Sequence, residues 1–306
     1  MQLLRQLRAR LPAARVDMLL PLARRLQSGG HDVVFAIKDV TRAGARLEVE
    51  NFRYVQAPLW LGPPLRRPPA ASFGELLARF GYHDTPGLVS VVRAWRHTID
   101  LVAPDAILAN HAPTALLSAR GLSVPRMALG TGFECPPPGV PSLALLASGQ
   151  YPAERPRQAD RDVVAAVNAA LTRLGLARIR HVTDVFEADA QCLCTVAELD
   201  VFHPARDGAG YLGPIMNLDQ RVRANWPAAG DGRVFAYLNP AAPAAGLFAP
   251  NARHRRLVVP SPTPAPARNG AEPQATPTRA QMTRAQRLRR VFEASASCSR
   301  PWPTSM

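Results

Sequence analysis

His111 directly follows the short apolar run AILAN (residues 106–110). A histidine titrates near neutral pH and is the side chain most often used to take a proton from a hydroxyl group. A lone histidine is also commonly a capping or packing residue, so both readings stand at this point. Its neighbour Asn110 can orient an imidazole by accepting a hydrogen bond from it, but an amide cannot balance an imidazolium charge. A second cluster lies in the loop GTGFECPPPG (130–139), where glycines permit close backbone approach and prolines stiffen the continuation. Gly130, Thr131, Phe133 and Glu134 suit the wall of a small-molecule site, with Trp60 as a second aromatic surface and Glu134 as a polar contact. The plainer alternative is an ordinary exit from a strand, with Glu134 facing water.

Other residues with chemical potential are less promising. His31 and Asp32 fall in a helix-to-strand turn and read as structural. Cys135, Cys192, Cys194 and Cys298 lack the paired spacing of a zinc site, and four cysteines in a chain of this length do not make a disulfide scaffold. No metal or other cofactor is expected, and a reduced, cytoplasmic setting fits.

The elements that would carry these residues alternate between helix and strand. In residues 18–28 Met18, Leu19, Leu22 and Leu26 share a helical face, and Gly29 and Gly30 end the pattern. The run VVFAI (33–37) is apolar throughout, as expected of a parallel strand covered on both faces. Strand-like YVQAPLW (54–60), helical patterns at 73–80 and 86–103, AILAN, a helix at 113–120 and the strand and loop 125–133 continue the alternation. Further helices are predicted at 160–175 and 183–188, with strands at 192–196, 211–214 and from 233. This order predicts an α/β fold, a Rossmann-like, doubly wound parallel sheet, in which ligands bind at the carboxyl ends of strands. His111 and Phe133 then belong on one edge and are expected to flank one concave pocket.

The net charge of +14 is unevenly distributed. Residues 1–30 hold six Arg against one Asp and residues 240–306 hold ten Arg against two Glu, while the stretch between carries 21 basic and 20 acidic groups. The basic tail has almost no aromatic interleaving for base stacking and only one short amphipathic candidate, at 280–293, so neither a nucleic-acid nor a membrane partner is expected. No run of eighteen apolar residues suggests a membrane span.

Three strings in order resemble bacterial glycosyltransferases of the superfamily that includes UDP-glucuronosyltransferases and the macrolide and flavonoid glycosyltransferases. PLARRLQSGGHDVVFAIKDV (21–40) resembles that family's first helix and second strand. APDAILANHAPTALLSARGLSVPRMALGTGF (103–133) resembles its strand, helix and strand ending in an acceptor-lining loop, and ELDVFHPARDGAGYLGPI (198–215) the end of its N-terminal domain. The resemblance implies the N-terminal, acceptor-binding half of a two-domain GT-B fold over residues 18–239. It also implies metal-independent, inverting transfer of a hexose from a nucleotide sugar to a small hydroxylated acceptor. The family's base is a histidine in a Gly-His pair before the first helix, oriented by an acidic residue from a later strand end. Here the corresponding positions hold Ala14 and Arg15, and Asn110. Arginine stays protonated and cannot be the base, which leaves His111 as the candidate replacement.

Residues 1–17 form an atypical basic segment where the resemblance implies a first strand and glycine loop. Residues 240–306 are rich in Pro, Ala and Arg, are expected to be disordered, and contain no donor-binding motif, so the donor domain is expected to be absent. A broken reading frame would produce both ends. The chain alone is then expected to be inactive as an enzyme, and the alternative is a non-catalytic acceptor-binding domain that works with a partner chain.

Overall fold

The computed structural model describes residues 16–63, 65, 69–141, 143–145, 151–206, 208 and 210–215, together with short strands at 233–235 and 256–258. Residues 16–28 are helical (α1) and carry two adjacent apolar stripes. Val16, Leu20 and Ala23 pack with Phe35 and Ile37, whereas Leu22 and Leu26 pack with Met127, Leu129, Cys192 and Cys194. The helix ends in a Schellman turn: the His31 amide donates to the Leu26 carbonyl (3.0 Å) and the Gly30 amide to that of Gln27 (2.9 Å). Gly30 takes the left-handed conformation this turn requires, at φ 80°.

Strand β1 (Val34–Ile37), helix α2 (Val40–Val49) and strand β2 (Arg53–Gln56) form the next unit, with Val34 paired in parallel with Arg53 and Ile37 with Gln56. Helix α2 was not expected from the sequence, because Gly44 interrupts its pattern. The glycine is there for Tyr54, whose hydroxyl would lie 2.8 Å from a Cβ at position 44. Ala43 and Leu47 of α2 are buried against Phe35 and Ile37.

Helix α3 (Phe73–Leu77) runs into a kinked turn, Ala78–Tyr82, broken at Phe80 and Gly81, and then α4 (Thr85–Val102), whose first turn is capped by Asp84 accepting from the Gly87 amide (3.0 Å). Next come β3 (Ile107–Ala109), α5 (Pro113–Ser118), β4 (Arg126–Gly130), α6 (Glu154–Arg173), a 3-10 turn at Val182–Phe186 and β5 (Ala190–Leu193). Strands β3, β4 and β5 form a parallel sheet in that order. Met127, Leu129 and Cys192 face α1, while Ala109, Ala128 and Leu193 pack with Leu116 of α5, so helices cover both faces. A larger apolar core joins α3, α4 and α6 through Phe73, Tyr82, Val92, Val163 and Leu171.

The parallel strands and covering helices agree with the predicted α/β, Rossmann-like fold. Three details differ. Helix α6 begins at Glu154, before the apolar periodicity that announces it. The expected strand at 211–214 is reduced to a single bridge between Leu193 and Tyr211. Trp60 lies beyond the end of β2. Strands β6 (Arg233–Phe235) and β7 (Arg256–Val258) belong to a separate compact unit and pair in parallel with each other. The basic segment 1–15 and the tail, apart from β7, lie outside the described residues.

Candidate functional site

Strands β3 and β4 run side by side, with Ala109 opposite Ala128, so the segments that leave them emerge at one edge. Asn110 ties the two exits together, its Nδ2 donating to the Leu129 carbonyl (2.9 Å). One residue later, His111 adopts φ 45°. A left-handed backbone at a non-glycine residue costs on the order of 1 kcal/mol and is found disproportionately at ligand sites.

On the β4 side, Gly130 has φ 153°, and a Cβ there would lie 2.6 Å from the Glu134 Cβ and 3.0 Å from Asn110 Nδ2. Glu134 folds back over its own loop, with Oε2 accepting from the Thr131 amide (2.8 Å) and from the Thr131 hydroxyl. Phe133 stacks on His111, with ring centroids 5.4 Å apart and planes 27° apart. Its ring also meets Phe73 at 5.3 Å, and Phe73 meets Phe186 edge-on at 5.5 Å. His111 and Phe133 are therefore in direct contact, where the sequence suggested walls on either side of a pocket. Two cavities among the described residues lie elsewhere. One of about 460 Å³ is lined by Val34, Phe52 to Val55, Leu101 and Val102, and one of about 310 Å³ lies beside Arg120, Arg126 and Glu187.

No family model and no curated protein matches this chain. Among solved structures, it superposes on the glycosyltransferase of kitacinnamycin with a TM-score of 0.50 and 18% identity, over 79% of this chain and 61% of that one. This is a glycosyltransferase-type fold. The glycosyltransferase SsfS6 of Streptomyces sp. SF2575, solved with thymidine diphosphate, is matched at a TM-score of 0.41 and 18% identity, over 79% of this chain and 63% of that one. The match thus spans less than two thirds of either glycosyltransferase.

Within this glycosyltransferase-type fold, six of the seven residues singled out from sequence, Asn110, His111, Gly130, Thr131, Phe133 and Glu134, meet at the exits of β3 and β4. Trp60 is held differently. Its indole N–H donates to Asp84 Oδ2 (2.8 Å), its ring lies edge-on to His83 (5.4 Å), and it packs so closely on Gly81 that a Cβ there would collide with it. The indole N–H, and then the Gly87 amide, hold the Asp84 carboxyl below its ordinary value.

Sequence reasoning missed the clamp on the far side of the loop. Asp200 and Arg206 form a buried ion pair (2.6 Å), and Arg206 also donates to the carbonyls of Gly132 (3.2 Å) and Cys135. Asp200 further accepts from the Phe202 amide (2.9 Å) and the Tyr211 hydroxyl (3.0 Å). Gly132 has no room for a side chain, since a Cβ would strike Asp200 Oδ1. The only advance sign was an Asp and an Arg bracketing the run VFHPA after the last apolar strand.

The buried thiols are poorly disposed to react. Burial pushes the Cys194 thiol up to about 12 and the Cys135 thiol up as well. Among the described residues no group of three or more His, Cys, Asp or Glu is placed to hold a metal ion, and no helix is long and apolar enough to cross a membrane.

Proposed function

We propose that this chain is the acceptor-binding half of a glycosyltransferase that moves a hexose from a nucleotide sugar to a small hydroxylated molecule. The observation that carries this reading is the meeting of Asn110, His111, Phe133 and Glu134 at the exits of two adjacent parallel strands, in a glycosyltransferase-type fold. Hydroxyl transfer chemistry needs a base beside the acceptor oxygen, and His111 supplies an imidazole there. Phe133 fixes the plane of that imidazole by stacking, and Glu134 and Arg206 fix the loop that carries Phe133. Trp60 contributes from behind, as a support for the turn that contains Gly81.

The departing diphosphate would be stabilised by groups from a donor-binding domain, as the family resemblance implies, which makes residues 18–239 the acceptor-type domain. A chain that acts as this half binds a phenolic or alcoholic acceptor and transfers sugar to it only in the presence of a donor half, carried by a partner chain or by a longer form of the same protein. The test is a titration of the purified chain with a panel of hydroxylated aromatic and alicyclic compounds, and then a transfer assay with UDP- and TDP-glucose. Acceptor binding that is weakened in His111→Ala, with no sugar transfer by the chain alone, is expected. Failure to bind any hydroxylated compound would overturn the proposal.

A further inference from the structure

Strand β5 runs beside β4 and ends at the same edge, where it leads into a further group of polar residues. It stops at Leu193, and Tyr211 returns to pair with it in parallel, the Leu212 amide donating to the Leu193 carbonyl (2.9 Å). Between them lies a 3-10 turn, His203–Ala205, whose first residue is exposed. His203 Nδ1 lies 3.0 Å from the Tyr211 hydroxyl, and that hydroxyl donates to Asp200 Oδ2 (3.0 Å). The three side chains form one row from solvent to a buried carboxylate.

Counting protons along this row fixes the state of the imidazole. A carboxylate only accepts hydrogen bonds and a phenol has one proton to give, so the Tyr211 proton belongs to Asp200. Desolvation, and then the bond to Asp200, raise the Tyr211 phenol above its ordinary value, so it keeps that proton. What remains at the Tyr211 oxygen is acceptor capacity, and His203 Nδ1 must supply the hydrogen. The neutral ring then carries no proton on Nε2, which bonds to nothing among the described residues. Nδ1 stays a donor when the ring is charged, so Nε2 can take up a proton without breaking any bond of the row.

The buried end of the row is rigid and shared with the acceptor loop. Asp200 is held by Arg206 and the Phe202 amide, and Arg206 runs on to the Gly132 carbonyl (3.2 Å) and to Gln191 of β5 (3.3 Å). Gly132 directly precedes the Phe133 that stacks on His111. The two histidines differ in setting. His111 has the rings of Phe133 (5.4 Å) and Phe186 (6.1 Å) against it, whereas His203 meets one ring, Tyr211, at 5.9 Å and is exposed. An imidazole oriented from behind by a third group, with its other nitrogen open, is the arrangement of a proton acceptor.

Building on the acceptor reading above, we propose that His203 is a second proton-accepting residue of this edge, its Nδ1 held by Tyr211 and Asp200 and its Nε2 taking the proton of a hydroxyl on the bound acceptor. The acceptor O–H bond breaks and the proton passes to Nε2. The oxygen keeps the electron pair with which it attacks the sugar carbon of the nucleotide sugar, and the nucleotide diphosphate leaves with the pair of the old bond. Tyr211 and Asp200 are positioning residues. Two imidazoles then serve the edge, the enclosed His111 and the open His203.

The test has two readouts on the full chain. Long-range proton–nitrogen NMR of the 15N-labelled imidazoles, at a pH where the rings are neutral, reads the tautomer of each histidine, and His203→Gln assigns one signal among the seven. His203 is expected to carry its proton on Nδ1, the minor form of free histidine, and Tyr211→Phe, which keeps the ring and removes the hydroxyl, should return it to the Nε2–H form. The second readout is the absorbance of 7-hydroxycoumarin-3-carboxylate, whose phenol and phenolate differ in colour. On binding to the wild type the ratio of phenolate to phenol should rise about tenfold, the scale of one adjacent opposite charge, and His203→Gln should remove that rise. A wild-type His203 protonated on Nε2, or a phenolate ratio in the bound probe that is indifferent to His203→Gln, would overturn the proposal and leave the acceptor reading standing. Failure of the probe and of every other hydroxylated compound to bind would overturn both.

Discussion

His111 lies flat on Phe133, so the residue leaving β3 and the loop leaving β4 act as one unit, joined a second time by the bond from Asn110 to the Leu129 carbonyl. Phe133 in turn leans on Phe73, which ties the candidate base to the main apolar core. Replacing Phe133 by leucine keeps the burial but removes both ring contacts. The loss expected is about 1–2 kcal/mol of stability, measurable by urea unfolding. In the same variant the acceptor affinity should fall further than in a core variant of equal stability. An equal fall in both would reduce Phe133 to a packing residue.

The clamp on the loop offers a sharper energetic test. Asp200 and Arg206 are almost fully buried, so removing one partner strands the other charge away from water. Arg206→Met is expected to cost about 3–5 kcal/mol, and Gly132→Ala, which pushes a methyl group into Asp200, about 1–3 kcal/mol. The double variant should lose less than the sum, because both changes break the same contacts. Strict additivity in denaturant melts would show that the two residues do not share a network.

Acid should loosen the attachment of α1 to α2. Glu50 accepts from Arg24 (2.7 Å) and Arg46 (2.7 Å), and the Arg24 bond, against the opposing effect of burial, holds its carboxyl below the ordinary value of 4.5. A lowered carboxylate binds fewer protons when folded than when unfolded. Its stabilisation is complete above that ordinary value and is lost as the pH falls through the folded one. Glu50→Gln should flatten this part of the stability profile, as read from thermal melts between neutral and acid pH. An unchanged profile would contradict the assignment.

Alkylation at mildly alkaline pH should leave Cys135, Cys192 and Cys194 unmodified in the native protein, because all three are buried and Cys194 is raised to about 12. The same residues should react fully in guanidinium chloride. Rapid native labelling of any of them, read by peptide mass spectrometry, would show that the β4 and β5 region opens readily.

Much of this arrangement was legible in the sequence, for identifiable reasons. Buried parallel strands are continuous apolar runs, so 33–37, 106–110 and 125–133 stood out, and the rule that ligands gather at strand carboxyl ends picked out His111 and the loop after Gly130. Helix α2 was hidden because its central Gly44 serves Tyr54, a contact made only in three dimensions. Trp60 suggested a ligand surface because an aromatic after a strand looks like one, and its partners Asp84 and Gly81 lie more than twenty residues away. The Asp200–Arg206 clamp was silent for a similar reason. Its bonds run to carbonyls of the 132–135 loop, and no periodicity marks a residue whose partner is a distant backbone.

The central claim, that the exits of β3 and β4 form an acceptor-binding edge, is tested most directly by hydrogen–deuterium exchange of the full chain with and without saturating 7-hydroxycoumarin-3-carboxylate. Slower exchange is expected in peptides covering residues 109–114 and 129–135, and in wild type to a greater degree than in His111→Ala. No change in those peptides despite measurable binding, or protection confined to the cavity lined by Val34, Tyr54 and Leu101, would contradict the claim.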